Sequence, residues 1–220
     1  MHKFHIIGTD TSSGKTHTTV QLMQYLIRSQ HKVAALKPIA SGTMAGNAVN
    51  EDVAQLLAAA NYQFTLEQIN LITFIPPIAP HIAAEMENYQ LNANSVNKFI
   101  ENAQLDVDYL FIEGVGGLMV PLNQDETYLD LLQVAAYPII LVVGMKLGCL
   151  NHALLTVKAL EQQGLKLVGW IANQIDPQMQ YYPQNLAYLL QALDAPLLAE
   201  IPYQQAIQTT EFFTELFPCP

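Results

Sequence analysis

The chain has 220 residues, a length that suits one α/β domain, and 51% of them are hydrophobic, enough for a full core. Its formal net charge of −10 opposes nonspecific nucleic-acid binding but not nucleotide binding, where a local site and Mg²⁺ decide. No apolar run reaches the ~20 residues of a membrane helix, and the two cysteines, Cys149 and Cys219, make no disulfide framework and suit a reducing cytoplasm.

The opening Met-His-Lys-Phe-His leads straight into a first predicted strand over 3–8, so no signal peptide is expected. A loop of small polar residues follows Gly8, and Gly14-Lys15-Thr16 opens a helical pattern over 15–29 with Val20, Met23, Leu26 and Ile27 on one face. Strand, loop, Gly-Lys-Thr and helix in that order are the architecture of a phosphate-binding P-loop. Backbone N–H groups wrap a polyphosphate there; Lys15 would reach the outer phosphates and Thr16 would ligate Mg²⁺. The spacing is unusual, because five residues rather than four separate Gly8 from Gly14 and Thr9 holds the expected first glycine position.

Residues 33–37 read as a second strand that Pro38 stops, since proline cannot donate to a ladder. Such a strand usually neighbours the P-loop strand, so Lys37 at its end would aim a second ammonium at the phosphates. Ser41-Gly42 and Gly46-Asn47 mark a loop. A helix is predicted over 51–60, with Glu51 and Asp52 suited to its N-terminal dipole and Asp52 equally a candidate metal group. Residues 61–92 are the least regular: a short strand over 71–75, breaks at Pro76, Pro77 and Pro80, and a short helix over 81–87. Ser95 is the expected N-cap of a helix over 96–103.

A strand is predicted over 108–113, ending in Glu113, where P-loop enzymes commonly keep a metal-holding acid, usually aspartate. Gly114-Val-Gly-Gly117 is expected to turn tightly after it, before a helix over 127–136. Residues 138–144 read as a strand buried on both faces, followed by a helix over 151–163 that Gly164 terminates. A strand over 165–172, a helix over 180–193 and a strand over 197–201 complete the pattern. Asn173-Gln174-Ile-Asp176 follows a strand and resembles the Asn-Lys-x-Asp base-reading motif of GTPases, although Asn, Asp and Pro177 also favour a plain turn. His81 and His152 are candidates for phosphate or substrate contact, or simply structural histidines. Alternating strands and helices predict a doubly wound, mostly parallel sheet flanked by helices, P-loop NTPase-like and a single domain over 1–220. Ligands of such sheets bind beyond the carboxyl ends of the strands, where the polar clusters of this sequence fall.

Several motifs together resemble one family. Gly8-Thr-Asp-Thr-Ser-Ser-Gly-Lys-Thr16 is similar to the lengthened P-loop of dethiobiotin synthetases. So are Lys37-Pro-Ile-Ala-Ser-Gly42, Glu113-Gly-Val-Gly-Gly117 with Val120-Pro-Leu122, Gly144-Met-Lys-Leu-Gly-Cys-Leu-Asn-His152, Gly169-Trp-Ile-Ala-Asn173 and Glu200-Ile-Pro202. The resemblance implies an enzyme that closes 7,8-diaminononanoate with CO₂ and ATP into dethiobiotin, through a carbamate and a carbamic-phosphoric anhydride. It implies catalytic roles for Thr11, Lys15 and Lys37, and Mg²⁺ held by Thr16, Asp52 and Glu113. Nucleotide contacts would fall at Ser12, Ser13, Gly14, Lys15, Thr16, His17, Asp52, Glu113, Gly114, Val115, Gly116, Asn173, Gln174, Pro202, Tyr203 and Gln204. Substrate contacts would fall at Thr11, Lys37, Ser41, Gly116 and Gly117. It also implies a cytoplasmic homodimer in which Leu147, Gly148, Cys149, Leu150 and Asn151, with Tyr188, serve the partner's substrate. Residue 174 is Gln where the family pattern has Asp, which leaves base selectivity open. The competing readings are a dimerising partition-type ATPase and a small-molecule kinase. The first carries a signature lysine where this chain has Asp10. An amidotransferase-type synthetase would need a glutaminase domain that 220 residues leave no room for.

Overall fold

The computed structural model describes residues 1–43 and 49–218; the predicted Gly46-Asn47 loop and Cys219 lie outside that range. Strand β1 (His2–Gly8) is buried from its third residue on, and apolar there except for His5, because it lies inside the sheet. It feeds helix α1 (Lys15–Arg28), whose Thr18, Thr19, Leu22, Met23 and Leu26 face the core at helical spacing. Strand β2 (Val33–Leu36) ends just before Lys37 and Pro38. Two three-residue strands, β3 (Ile39–Ser41) and β4 (Ile72–Phe74), pair in parallel as a small second sheet. Helices α2 (Glu51–Ala59) and α3 (Leu66–Ile69) lie between them, and α4 (Pro80–Met86) follows with its proline in the first turn.

Helix α5 (Ala93–Asn102) begins earlier than predicted. Its N-cap is Asn92, which accepts the Ser95 N–H at 2.8 Å, while the Ser95 hydroxyl donates back to the Asn92 carbonyl. Ser95 is thus the third helical residue, not the cap. Strand β5 (Tyr109–Gly117) is longer than predicted, because the glycine run stays in the strand instead of turning. It bulges there: Ile6 pairs with Glu113 and Gly8 with Gly117, so four steps on β5 match two on β1.

Helix α6 (Tyr128–Ala135), strand β6 (Ile139–Met145, buried throughout), helix α7 (Cys149–Gln162) and strand β7 (Leu167–Gln174) follow. β7 runs two residues past its predicted end, so Asn173 and Gln174 close the strand rather than follow it. Helix α8 (Tyr182–Ala192) and strand β8 (Leu197–Ile201) precede two unpredicted elements, the edge strand β9 (Gln208–Thr209) and helix α9 (Glu211–Leu216).

The main sheet runs β2-β5-β1-β6-β7-β8-β9, parallel except for the β8–β9 pair. β2 therefore does not neighbour β1 as expected; β5 lies between them. The outcome for Lys37 survives this correction, since β5 carries Glu113 and the glycine run into the space between Lys37 and the P-loop. The aromatic cluster of Phe213 and Phe217 with Phe4, Phe111 and Tyr25 anchors α9 on the body of the protein.

Candidate active site

The loop between β1 and α1 is held in a shape that only small residues permit. Gly14 sits at φ 82°, and a Cβ there would lie 2.0 Å from the Asn173 amide. Ser12 also adopts a left-handed backbone, at φ 61°. Buried Asn173, at the end of β7, donates to the Ser13 carbonyl at 2.9 Å and pins the loop from below. The first turn of α1 has no acidic residue and no capping side chain, so its N–H groups are open to an anion.

Two ammonium groups and two carboxylates converge in front of this helix. Buried Lys15 donates to the carbonyls of Gly116 (2.6 Å) and Asp10 (3.2 Å). Buried Lys37 donates to Glu113 Oε1 (2.7 Å) and to the Gly114 carbonyl (2.9 Å), with Asp52 Oδ2 at 3.5 Å. The Thr16 hydroxyl donates to the same Glu113 oxygen at 2.6 Å. Burial lowers the Lys15 pKa to about 8, with the neighbouring Lys37 charge pushing the same way and Glu113, Asp52 and Asp10 opposing. Glu113 Oε2 is buried and has no hydrogen-bond partner among the described residues. A carboxylate oxygen buried without a partner is costly. The Oε1 of the same carboxylate receives the Thr16 hydroxyl, and Asp52 Oδ2 meets the Lys37 ammonium that Oε1 also binds, so Glu113, Thr16 and Asp52 supply hard oxygen donors of the kind that fit Mg²⁺.

These groups open onto a cavity of about 700 Å³. Of the residues expected at the site, Thr11, Ser12, Gly14, Lys15, Thr16, His17, Lys37, Ser41, Asp52, Val115 and Gly116 line it. The Ser41 hydroxyl is buried there without a partner among the described residues. Ser13, Glu113, Gly114 and Asn173 lie behind that surface as supports. Gly117 lines a smaller adjoining cleft with Asp10 and His152. Gln174 accepts the Tyr203 N–H at 3.3 Å, which brings it together with the Pro202–Gln204 segment but not with the cavity. Leu147 to Asn151 and Tyr188 line neither space within one chain. Leu147 is 94% exposed, and Met119 and Leu155 are also exposed.

Two comparisons bear on what this arrangement is. A family profile described as an AAA domain matches residues 2–211. The chain is 44% identical to the ATP-dependent dethiobiotin synthetase of Legionella pneumophila (strain Corby), covering 92% of this chain and 94% of that one. It is 42% identical to that of Aromatoleum aromaticum (90% and 89%) and 39% identical to that of Pseudoalteromonas translucida (98% and 96%). The chain belongs to the dethiobiotin synthetase family.

Among solved structures, the septum site-determining protein MinD of Pyrococcus horikoshii with Mg-ADP matches with a TM-score of 0.56 at 20% identity, covering 91% of this chain and 81% of that one. A ParA-family ATPase of Chlorobium tepidum matches at 0.55 and 16%, covering 100% and 93%. At such identities the likeness concerns the fold alone. In this member of the family, sequence reasoning missed one side of the cavity: Gln55, Pro77, Ile78, Ala79, Pro80, Val120 and Pro121. A signal was present. Pro77 to Pro80 follow a short strand at its carboxyl end, where such folds place ligand contacts, and Gln55 lies one helical turn beyond Asp52.

Proposed function

We propose that the chain carries out the family's reaction in this cavity, converting 7,8-diaminononanoate, CO₂ and ATP to dethiobiotin, ADP and phosphate. The observation that supports it best is the meeting of Lys15, Lys37, Asp52 and Glu113 at the start of α1, beside an apolar wall of Pro77, Ile78, Ala79, Pro80 and Val120. A polar end and an apolar side suit a molecule with reacting amines on an aliphatic chain.

In this reading one amine takes up CO₂ as a carbamate, which attacks the γ-phosphorus of ATP. The second amine then attacks the carbamic-phosphoric anhydride at carbon, closes the cyclic urea and releases phosphate. Two anions must meet in the first of these steps. Lys15 and Lys37 offset their repulsion, and the open N–H groups of the P-loop hold the phosphates in line. Thr11 and Ser41 orient the diamine end. Thr16, Asp52 and Glu113 would hold Mg²⁺, which when bound spreads the charge of the phosphates. Asn173 and Gln174, with Pro202 to Gln204, would flank the base.

The substrate's carboxylate end falls to a second copy of the chain, through Leu147 to Asn151 with Tyr188. Exposed Leu147, Met119 and Leu155 support a two-fold contact of that kind. Among the described residues no helix is long and apolar enough to cross a membrane. Incubation with the diamine, bicarbonate and MgATP, followed by ADP release and product mass, tests the assignment. The expected result is ADP formation that requires the diamine, with a closed-ring product. ADP without diamine would favour a partition-type ATPase, and a phosphorylated diamine would favour a kinase.

A further inference from the structure

The loop after β6 begins at Lys146, and this lysine reaches back to the P-loop. Its ammonium lies 3.1 Å from Asp10 Oδ2. The other oxygen of the same carboxylate, Oδ1, accepts the Thr11 N–H at 2.7 Å. The Asp10 carbonyl accepts Lys15 Nζ at 3.2 Å. Asp10 therefore fixes two residues of the cavity, Thr11 through its side chain and Lys15 through its main chain, and Lys146 fixes Asp10. Burial works against a charged carboxylate here, yet the Lys146 ammonium and the Thr11 N–H outweigh it and hold the Asp10 carboxyl below its usual range.

The pair contributes little to folding. The Lys146 and Asp10 side chains are 36% and 40% exposed, and ion pairs that open to water are weakened by solvent screening and by the entropy of holding two side chains in place. Its geometry is worth more than its energy, because it ties the phosphate loop to the end of β6 at the point where the chain leaves for Leu147. We propose that Lys146 is a positioning residue for the reaction, acting through Asp10 to hold Thr11 and Lys15 toward the cavity. This rests on the synthetase reading above. In the two-fold arrangement described there, the residues right after Lys146 serve the neighbouring subunit's substrate. The same ion pair then joins the phosphate loop of one site to the substrate loop of the other.

The test uses the full-length protein in the diamine-dependent ADP assay, with K146Q, K146R, D10N and the double variant D10N/K146Q. K146Q should lower kcat about tenfold and raise KM for the diamine, with its thermal unfolding midpoint within about 3 °C of wild type. K146R should recover most of the loss. The double variant should fall no further than the worse single variant, as expected when two residues act as one unit. K146Q with wild-type kcat and KM, K146R as poor as K146Q, or additive losses in the double variant would each overturn the proposal. Wild-type protein that releases no diamine-dependent ADP would overturn the synthetase reading and this inference with it. An active wild type with an unaffected K146Q would overturn this inference alone.

Discussion

Lys37 makes its contacts with groups that belong to the site: a glutamate oxygen, a main-chain carbonyl and the edge of Asp52. Replacing it with alanine removes a charge needed where negative charge builds, while the loop N–H groups and Lys15 still receive phosphate. Lys37→Ala should therefore abolish turnover and leave ATP affinity within about threefold of wild type, measured by calorimetry. Residual turnover above a few per cent would remove Lys37 from the chemistry. His5 makes a second case. It is fully buried with no hydrogen-bond partner for either ring nitrogen among the described residues, and burial drives its pKa down to about 3. The folded protein keeps the ring neutral while the unfolded chain protonates it below about pH 6.5. Its stability contribution is complete above that pH and is lost as pH falls toward 3. His5→Phe should remove about 3 kcal/mol of the stability lost between pH 7 and pH 4 in denaturant titrations. An unchanged acid slope would show that His5 takes up no proton on unfolding.

Elements were legible where their signals are local. The P-loop, the buried run of β6 and the Gly164 stop after α7 can each be read from a dozen residues or fewer. The cap of α5 could not, because Asn92 and Ser95 are both good caps and only the backbone decides between them. Asn92 lies extended with its side chain on the Ser95 N–H, so Asn92→Ala should cost about 1 kcal/mol and Ser95→Ala clearly less. Equal losses in urea unfolding would contradict this assignment. The glycine run after Glu113 reads as a turn because turns and bulges share the same residues. What keeps it in the strand is pairing to β1, a contact between segments about a hundred residues apart in the chain. β3 was hidden for a related reason: a three-residue strand carries too little alternation to be seen, and it exists because β4, legible as the short strand over 71–75, supplies its partner.

For the molecule as a whole, the doubly wound sheet was legible from alternation alone, but the strand order was not. Sequence order places β2 next to β1, whereas the crossover returns β5 between them. The apolar wall contributed by Pro77 to Pro80 was hidden with it, because its place depends on the small sheet beside the large one. Much of the site comes from loops that rest on the sheet, so ligand binding should be felt as global stability. MgATP at about 100 times its Kd should stabilise the fold by about 2.7 kcal/mol, roughly 5–10 °C in unfolding temperature. Chelating the metal should shrink that shift. An equal shift in excess EDTA would remove Thr16, Asp52 and Glu113 from metal binding.

The bulged glycine run of β5 has a bearing on how the site can change over time. Lys37 rests on the oxygen of Gly114 and Lys15 on that of Gly116. Both resting places are peptide oxygens, present whatever residue is encoded, so no exchange of one side chain for another can delete them. Variation at 114 or 116 can only tilt or shift these acceptors. Drift in this strand would then act by misaligning the two cations, most sharply at Gly116, where φ is 59° and a Cβ would lie 2.5 Å from the Val120 side chain, while leaving each with somewhere to bind.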